Sequence, residues 1–191
     1  MSIPTPKYRN QLTTRLEDLR HRSSPRRILG IDPGLRITGY GVITVNGSRL
    51  AYVGSGIIRI PDGPLPERLN ILFEQLAHVL AQYEPVTAAV EQVFVHRNPS
   101  SALKLGHARG AAICACAQAG LTVAEYTPRR IKQALVGTGN ADKQQVQYMV
   151  QSLLGLRGNL RVDAADALAT AVCHAHGQRF DCARAGEKLI S

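Results

Sequence analysis

The segment ILGIDPGLRITGYGVI, residues 28–43, decides the fold of this chain. Residues 28–31 are short and apolar, as in a buried strand, and Asp32, Pro33 and Gly34 follow at once. Burying a carboxylate without a partner costs several kcal/mol, so such groups are usually paired or hold a metal ion. Asp32 therefore needs an explanation, although an aspartate before Pro-Gly also initiates turns.

The charge of the chain favours a polyanionic partner. The 191 residues carry a net charge of +9, and a length of this order predicts one folded domain. Residues 97–161 hold nine basic residues and only two acidic ones. A one-sided excess of this kind suits nucleic acid before other partners, although a basic solubility surface would give the same count.

The composition also argues against several protein classes. No apolar run approaches the ~18 residues of a membrane helix, and residues 1–27 lack the apolar stretch of a signal peptide. The four cysteines form no CxxC pair, which argues against zinc and against a disulfide framework. We therefore expect a cytoplasmic protein with reduced thiols and no association with membranes.

Periodicity and turn signals divide the chain into three parts. We expect residues 1–25 to be a basic, flexible N-terminal extension, residues 26–176 to be one α/β domain, and residues 177–191 to be a tail without a clear pattern. Within the domain we predict strands at 28–31, 37–45, 49–60, 86–90 and 121–125, and helices at 65–83, 100–119, 128–136, 142–154 and 162–176. This order predicts a mixed five-stranded sheet, with an antiparallel meander and parallel crossovers, flanked by helices on both faces.

Three further carboxylates join Asp32. Glu91 ends a second apolar strand, and the carboxyl ends of neighbouring parallel strands line one crevice. Asp163 and Asp166 lie three residues apart in VDAADALATA, hence on one helix face. Taken singly, Glu91 could be a solvated edge residue and Asp163 an acid that favours a helix N-terminus.

Together the four acids predict a metal-dependent nuclease. Clustered carboxylates without cationic partners repel one another, and divalent cations relieve that repulsion. Ligation by oxygen alone selects Mg²⁺ or Mn²⁺. Two such ions, about 3.5–4 Å apart, can stabilise the attacking and leaving oxygens of a phosphodiester displacement.

Five segments carry a specific resemblance. In chain order they are LGIDPGLRITGYGVI, EQVF, SALKLGHARG, IKQALVGTGNADKQQV and DAADALATA. Together they resemble the bacterial Holliday junction resolvases of the RuvC family, over roughly residues 26–176. The resemblance implies a ribonuclease H-like fold and a homodimer that cuts two opposed strands of a four-way DNA junction during recombination and repair. It also implies Mg²⁺, two ions per subunit with Mn²⁺ able to substitute, and partnership with a helicase complex that migrates junctions.

The resemblance also assigns roles to individual residues. The catalytic and metal-binding acids of the family fall on Asp32, Glu91, Asp163 and Asp166, and its two important basic positions on Lys132 and Lys143. Phe94 falls where the family has an aromatic wedge at the crossover, and Arg97, Lys104 and Arg109 are then candidates for DNA contact. Without these roles, the two lysines would be solvated residues on helices and Phe94 would be a core residue.

We interpret His107 and His174 as structural rather than as metal ligands. Residues 1–25 depart from the family pattern, in which the first strand begins almost at the N-terminus.

Three rival interpretations remain at the level of the sequence. An actin-like kinase or ATPase also begins with an aspartate-containing strand, but it needs far more than 191 residues and a second phosphate loop. An architectural junction-binding protein would leave the four acids unexplained. Another nuclease of the same superfamily, acting on RNA–DNA hybrids or simple duplexes, fits the acids equally well.

Overall fold

The computed structural model describes residues 25–92 and 99–187, apart from the side chains of residues 99–101 and 179–187. The strands are β1 (Arg26–Asp32), β2 (Ile37–Asn46), β3 (Arg49–Arg59), β4 (Thr87–Glu91) and β5 (Thr122–Tyr126). The helices are α1 (Leu65–Tyr83), α2 (Pro99–Gln118), α3 (Pro128–Val136), α4 (Lys143–Leu154) and α5 (Val162–Glu187). No helix of this described part of the chain is long and apolar enough to cross a membrane.

The sheet is mixed, as predicted. Its strand order is β3-β2-β1-β4-β5. β1, β2 and β3 form an antiparallel meander, whereas β4 pairs in parallel with β1 on one side and with β5 on the other. The carboxyl ends of β1, β4 and β5 therefore meet at one edge of the sheet.

Helices cover both faces of the sheet because the apolar residues of its strands alternate in direction. On β1, Ile28 packs into the core formed with α3, α4 and α5, whereas Leu29 and Ile31 pack into the core formed with α1 and α2. All three side chains are fully buried. The α/β prediction with helices on both faces is confirmed. Asp32 shares the parity of Ile28 and therefore faces α5.

Helix α5 lies directly on β1 and β2 because three glycines face it. A Cβ added at Gly30 would overlap the carbonyl oxygen of Ala167, and one at Gly39 would overlap that of Asp163. A Cβ at Gly41 would collide with the side chain of Leu168. In the antiparallel register Gly30 pairs with Gly41, and Asp32 pairs with Gly39. The backbone of the helix thus reaches the sheet beside the first predicted acid.

Most predicted element boundaries agree with the structure within two residues, and one is wrong. Helix α5 does not end at residue 176 but continues through Gly177 to Glu187, so the predicted tail at 177–191 is helical over most of its length. A glycine inside a helix costs only about 1 kcal/mol, and the alanines and charged residues that follow favour helix. The predicted extension, residues 1–25, lies almost wholly outside the described residues. Among the described cysteines, Cys114, Cys116 and Cys173 are free thiols.

The substitution Gly39→Ala tests the close approach of α5. Because the added methyl group would overlap the α5 backbone, we expect the free energy of unfolding to fall by about 3 kcal/mol. Urea denaturation followed by circular dichroism measures this quantity. Gly106→Ala is the matched control: Gly106 is an exposed position of helix α2 with nothing near an added Cβ, and the change should raise stability by up to about 1 kcal/mol. Equal stabilities of Gly39→Ala and wild type would contradict the packing described here.

Candidate active site

Two carboxylates stand side by side at the carboxyl edge of the sheet. The parallel register pairs Ile31 of β1 with Val90 of β4, and Asp32 and Glu91 are the next residues on the two strands. Both side chains are half-buried. The sequence predicted this juxtaposition from the position of each acid at the end of an apolar strand.

Helix α5 adds the other two predicted acids. Asp163 lies in its first turn, where its main chain contacts β2 at Gly39, the register partner of Asp32. Asp166 follows one turn later, on the helix face that turns toward Asp32 and Glu91. The charges of all three neighbouring acids act on Asp32. Four acids from three separate segments thus converge on one place.

A pocket of about 430 Å³ opens at this place. Its polar lining residues come from the ends of β1 and β4 and from three helices. The polar residues that line it are Asp32, Glu91, Gln92, Lys132, Lys143 and Asp166. The apolar residues are Pro33, Leu105, Pro128, Ile131, Val146 and Ala169. Asp163 lies outside this lining.

The clustering of acids is electrostatically costly. Burial, followed by the charges of Glu91, Asp166 and Asp163, raises the pKa of Asp32 from 3.8 to about 7. Burial, followed by the charge of Asp166, likewise raises the pKa of Glu91. Strongly perturbed carboxyl groups in a cleft are typical of functional sites, since a purely structural site would avoid this cost.

Two lysines lie beside the acids. Lys143 is the first residue of α4, where Asp142 forms a reciprocal capping box with Gln145. Its Nζ lies 3.3 Å from Oδ2 of Asp166, and the charge of Asp166 is the largest cause that raises the pKa of Lys143. The Lys143 side chain remains 73% exposed, so this ion pair contributes little to stability. Lys132, on α3, lines the pocket, and its charge acts to lower the pKa of Glu91.

The donor set fits a hard divalent cation. Among the described residues no three His, Cys, Asp or Glu side chains stand in a ready-made metal shell. The acids that act on Asp32 nevertheless offer only oxygen donors, converge in one pocket and repel one another. Oxygen ligands of this kind select Mg²⁺ or Mn²⁺, and such an ion would relieve the repulsion.

Other predicted residues lie away from the pocket or outside the described residues. Phe94 and Arg97 belong to the second group, so their proposed DNA contacts remain predictions. Lys104 is exposed on α2. Arg109, also on α2, forms an ion pair with Glu125 of β5, a partner that the sequence analysis did not foresee.

Neither of the two histidines considered in the sequence analysis lines the pocket. His107 is exposed on α2, away from the pocket lining. His174 is buried on α5, where its Nε2 lies 3.2 Å from Oγ1 of Thr87. Thr87 begins β4, whereas Glu91 ends it, so His174 sits at the opposite end of that strand from the acids.

Sequence reasoning missed the groups that hold the loop after Asp32. The fully buried Thr38 accepts a hydrogen bond from the Gly34 N–H (3.0 Å) and donates one to the Gly34 carbonyl (2.8 Å). From α1, Arg68 donates to the carbonyl of Leu35 at 2.6 Å. The Asp-Pro-Gly turn signal indicated the loop, but nothing local in the sequence indicated these partners.

The architecture and the site define a class. A five-stranded mixed sheet with this meander, acids at the ends of two neighbouring parallel strands and two more acids on the covering helix is the ribonuclease H-like arrangement found in resolvases. The chain belongs to the family described as crossover junction endodeoxyribonuclease RuvC, whose family model matches residues 28–174.

Individual relatives support this assignment. The chain is 63% identical over 150 residues to the crossover junction endodeoxyribonuclease RuvC of Alkalilimnicola ehrlichii. The aligned region covers 78% of this chain and 91% of the relative. The chain is 56% identical over 166 residues to the RuvC of Marinobacter nauticus, where the aligned region covers 86% and 95%. Thermus thermophilus RuvC, solved in complex with a Holliday junction substrate, superposes with a TM-score of 0.77 at 36% identity, over 82% of this chain and 96% of that chain.

The substitution Asp32→Asn tests the electrostatic cost of the site. Because the folded chain holds a proton on Asp32 that the unfolded chain releases between about pH 4 and pH 7, the free energy of unfolding falls as the pH rises through this window. In metal-free buffer at pH 8 we expect Asp32→Asn to be more stable than wild type by about 2–4 kcal/mol, and at pH 4 by much less.

Urea denaturation with a chelator present measures both values. Asp62→Asn is the control, because Asp62 is largely exposed and its pair with Arg36 is a surface contact. A stability difference between Asp32→Asn and wild type that is the same at both pH values would contradict the raised pKa of Asp32.

Proposed function

We propose that this chain resolves four-way DNA junctions by Mg²⁺-dependent, paired and symmetric cleavage of two opposed strands. The observation that carries the proposal is that Asp32, Glu91 and Asp166 line one pocket with Lys132 and Lys143, while the charge of Asp163 also acts on Asp32. A basic protein with a cluster of acids in a pocket is suited to holding a phosphate backbone and hydrolysing it. Membership of the RuvC family and the junction complex of the Thermus relative favour a four-way junction over other DNA.

The four acids would hold the metal ions. Asp32 and Glu91 supply oxygens from the strand ends, and Asp163 and Asp166 supply them from α5. The chemistry that the ions supply is activation of the attacking water and stabilisation of charge on the reacting phosphate. Because all four side chains are placed by the sheet and by α5, their positions depend on rigid elements rather than on loops.

The two lysines would act on the phosphate. Lys143 extends from the N-terminal end of α4, where the helix dipole also attracts an anion. Its present contact with Asp166 is weak and exposed, so a phosphate group can compete for the ammonium. Lys132 approaches from α3 on another side of the same pocket. Two cations of this kind would orient the scissile phosphate and stabilise the charge that develops on it.

A homodimer is part of the proposal. Each chain has one such pocket among its described residues, whereas resolution of a junction requires two opposed cuts. Two copies related by a two-fold axis would present two pockets to a substrate that is itself nearly two-fold symmetric. A helicase complex that migrates the junction remains the proposed functional partner.

Cleavage of a labelled synthetic four-way junction, compared with a linear duplex of the same sequence, tests the function. We expect wild type to cut only the junction, at symmetric positions, and only with Mg²⁺. Asp32→Asn should cut at least about 10²–10³-fold more slowly, because a charge that holds the metal is lost. It should bind the junction at least as tightly as wild type, since less negative charge faces the phosphates. Asp62→Asn should cut like wild type.

The alternatives predict other results. Equal cleavage of linear duplex or of an RNA–DNA hybrid would leave the nuclease site intact but contradict junction selectivity. Undiminished cleavage by Asp32→Asn would contradict the role of Asp32. Binding of the junction without any cleavage would favour the architectural interpretation.

A further inference from the structure

We propose that Tyr126 is a positioning residue of this nuclease: it joins β5, α5 and α3, and thereby sets the position of Lys132 in the pocket. The inference rests on the proposed function, since it concerns how the same site is held. The sequence analysis gave Tyr126 and His176 no role, and it interpreted His174, the partner of Tyr126, only as structural.

The main chain of Tyr126 lies at the carboxyl edge of the sheet, beside Glu91. Tyr126 is the last residue of β5 and the register partner of Glu91. Its carbonyl accepts a hydrogen bond from the N–H of Gln92 at 2.8 Å. The next residue, Thr127, is the N-cap of α3, where its hydroxyl accepts a hydrogen bond from the N–H of Arg130. Strand β5, which pairs with β4 at Glu91, therefore leads directly into α3, the helix that carries Lys132.

The side chain of Tyr126 is anchored in the interior. Its hydroxyl lies 2.8 Å from Nδ1 of His174, which is only 6% exposed. The other ring nitrogen of His174 lies 3.2 Å from Oγ1 of Thr87 and 3.0 Å from the side-chain amide of Gln178. With both ring nitrogens engaged by strand and helix, His174 has a fixed orientation and fixes the Tyr126 hydroxyl in turn.

Two further contacts hold α3 against this anchor. The guanidinium of Arg130 lies 5.6 Å from the centroid of the Tyr126 ring, within the range of a cation–π interaction. Nδ1 of His176 lies 3.1 Å from the carbonyl oxygen of Ala134 in the last turn of α3. That carbonyl is among those that a helix leaves without an internal partner.

Lys132 lies between these two attachments. Helix α3 has only nine residues, and a helix so short has little stability of its own in water. Its position must come from tertiary contacts, and Tyr126 and His176 supply one near each end. A displacement of about 1 Å in a catalytic group can cost about 10²-fold in rate, so a loosened α3 should be visible in catalysis.

The substitution Tyr126→Phe removes the hydroxyl and keeps the ring beneath Arg130. Under single-turnover conditions with the Mg²⁺-loaded protein, we expect the rate of junction cleavage to fall about 5–10-fold, with junction affinity within about two-fold of wild type. In a Lys132→Gln background the same change should have almost no further effect on the rate, because the group that Tyr126 positions is already absent. Tyr148→Phe, which alters a tyrosine that is 69% exposed on α4, is the matched control and should cut like wild type.

A second pair of variants, at His176, tests the proposal without any change at Tyr126. His176→Ala should slow cleavage, and His176→Gln, which can still donate to the Ala134 carbonyl, should restore most of the rate. Cleavage by Tyr126→Phe at the wild-type rate would overturn the inference alone. A rate loss of the same size in the Lys132→Gln background would also overturn it, since Tyr126 would then act on the fold and not through Lys132. A wild-type chain that cuts no junction would overturn the proposed function itself.

Discussion

The contact of the α5 backbone with the glycines of β1 and β2 is the constraint on which the rest of the structure depends. An ordinary side chain at Gly30 or Gly39 would overlap the helix and push it away from the sheet. Without this close approach, Asp163 and Asp166 would lie farther from Asp32, and the four acids would not form one cluster. The small residues of α5 complete the fit, since alanines fill much of its buried face. The same contact closes the core on that side of the sheet, so the packing that stabilises the fold also places the acids of the helix.

The site carries an electrostatic cost that the proposed binding of metal ions would explain. Burial and three neighbouring acids hold the pKa of Asp32 near 7, which means that its charged form is disfavoured in the folded chain. Lys143 offsets this repulsion only in part, because it is mostly exposed and faces Asp166 from the rim. A site optimised for stability would replace one acid with a neutral residue. The proposed divalent cations would require all of the acids, at the expense of the stability of the metal-free protein.

Most of the fold and the proximity of the four acids could be predicted from the sequence. The physical reasons for this success also explain which features could not be predicted. Apolar periodicity and turn residues report local structure, so strands and helices were placed well, and an acid at the end of an apolar strand is visible in the sequence. Contacts between residues far apart in the chain have no local sequence signal. The ion pair of Arg109 with Glu125 and the contact of Tyr126 with His174 could therefore be seen only in the structure. The continuation of α5 beyond Gly177 was missed because a glycine signals a helix end without enforcing it.

The central claim is that three distant segments of the chain form one cation site, and paramagnetic broadening by Mn²⁺ tests it most directly. In amide spectra of the isotopically labelled protein, substoichiometric Mn²⁺ should broaden the signals around Asp32, Glu91 and Asp166 together, at one common midpoint. Mg²⁺ in excess should restore them. The exposed acid Glu84, which lies beside Arg27 at the opposite end of β1 from Asp32, should be much less affected. Broadening confined to one segment, or spread equally over the exposed acids, would show that the four carboxylates do not bind a shared ion and would contradict the account.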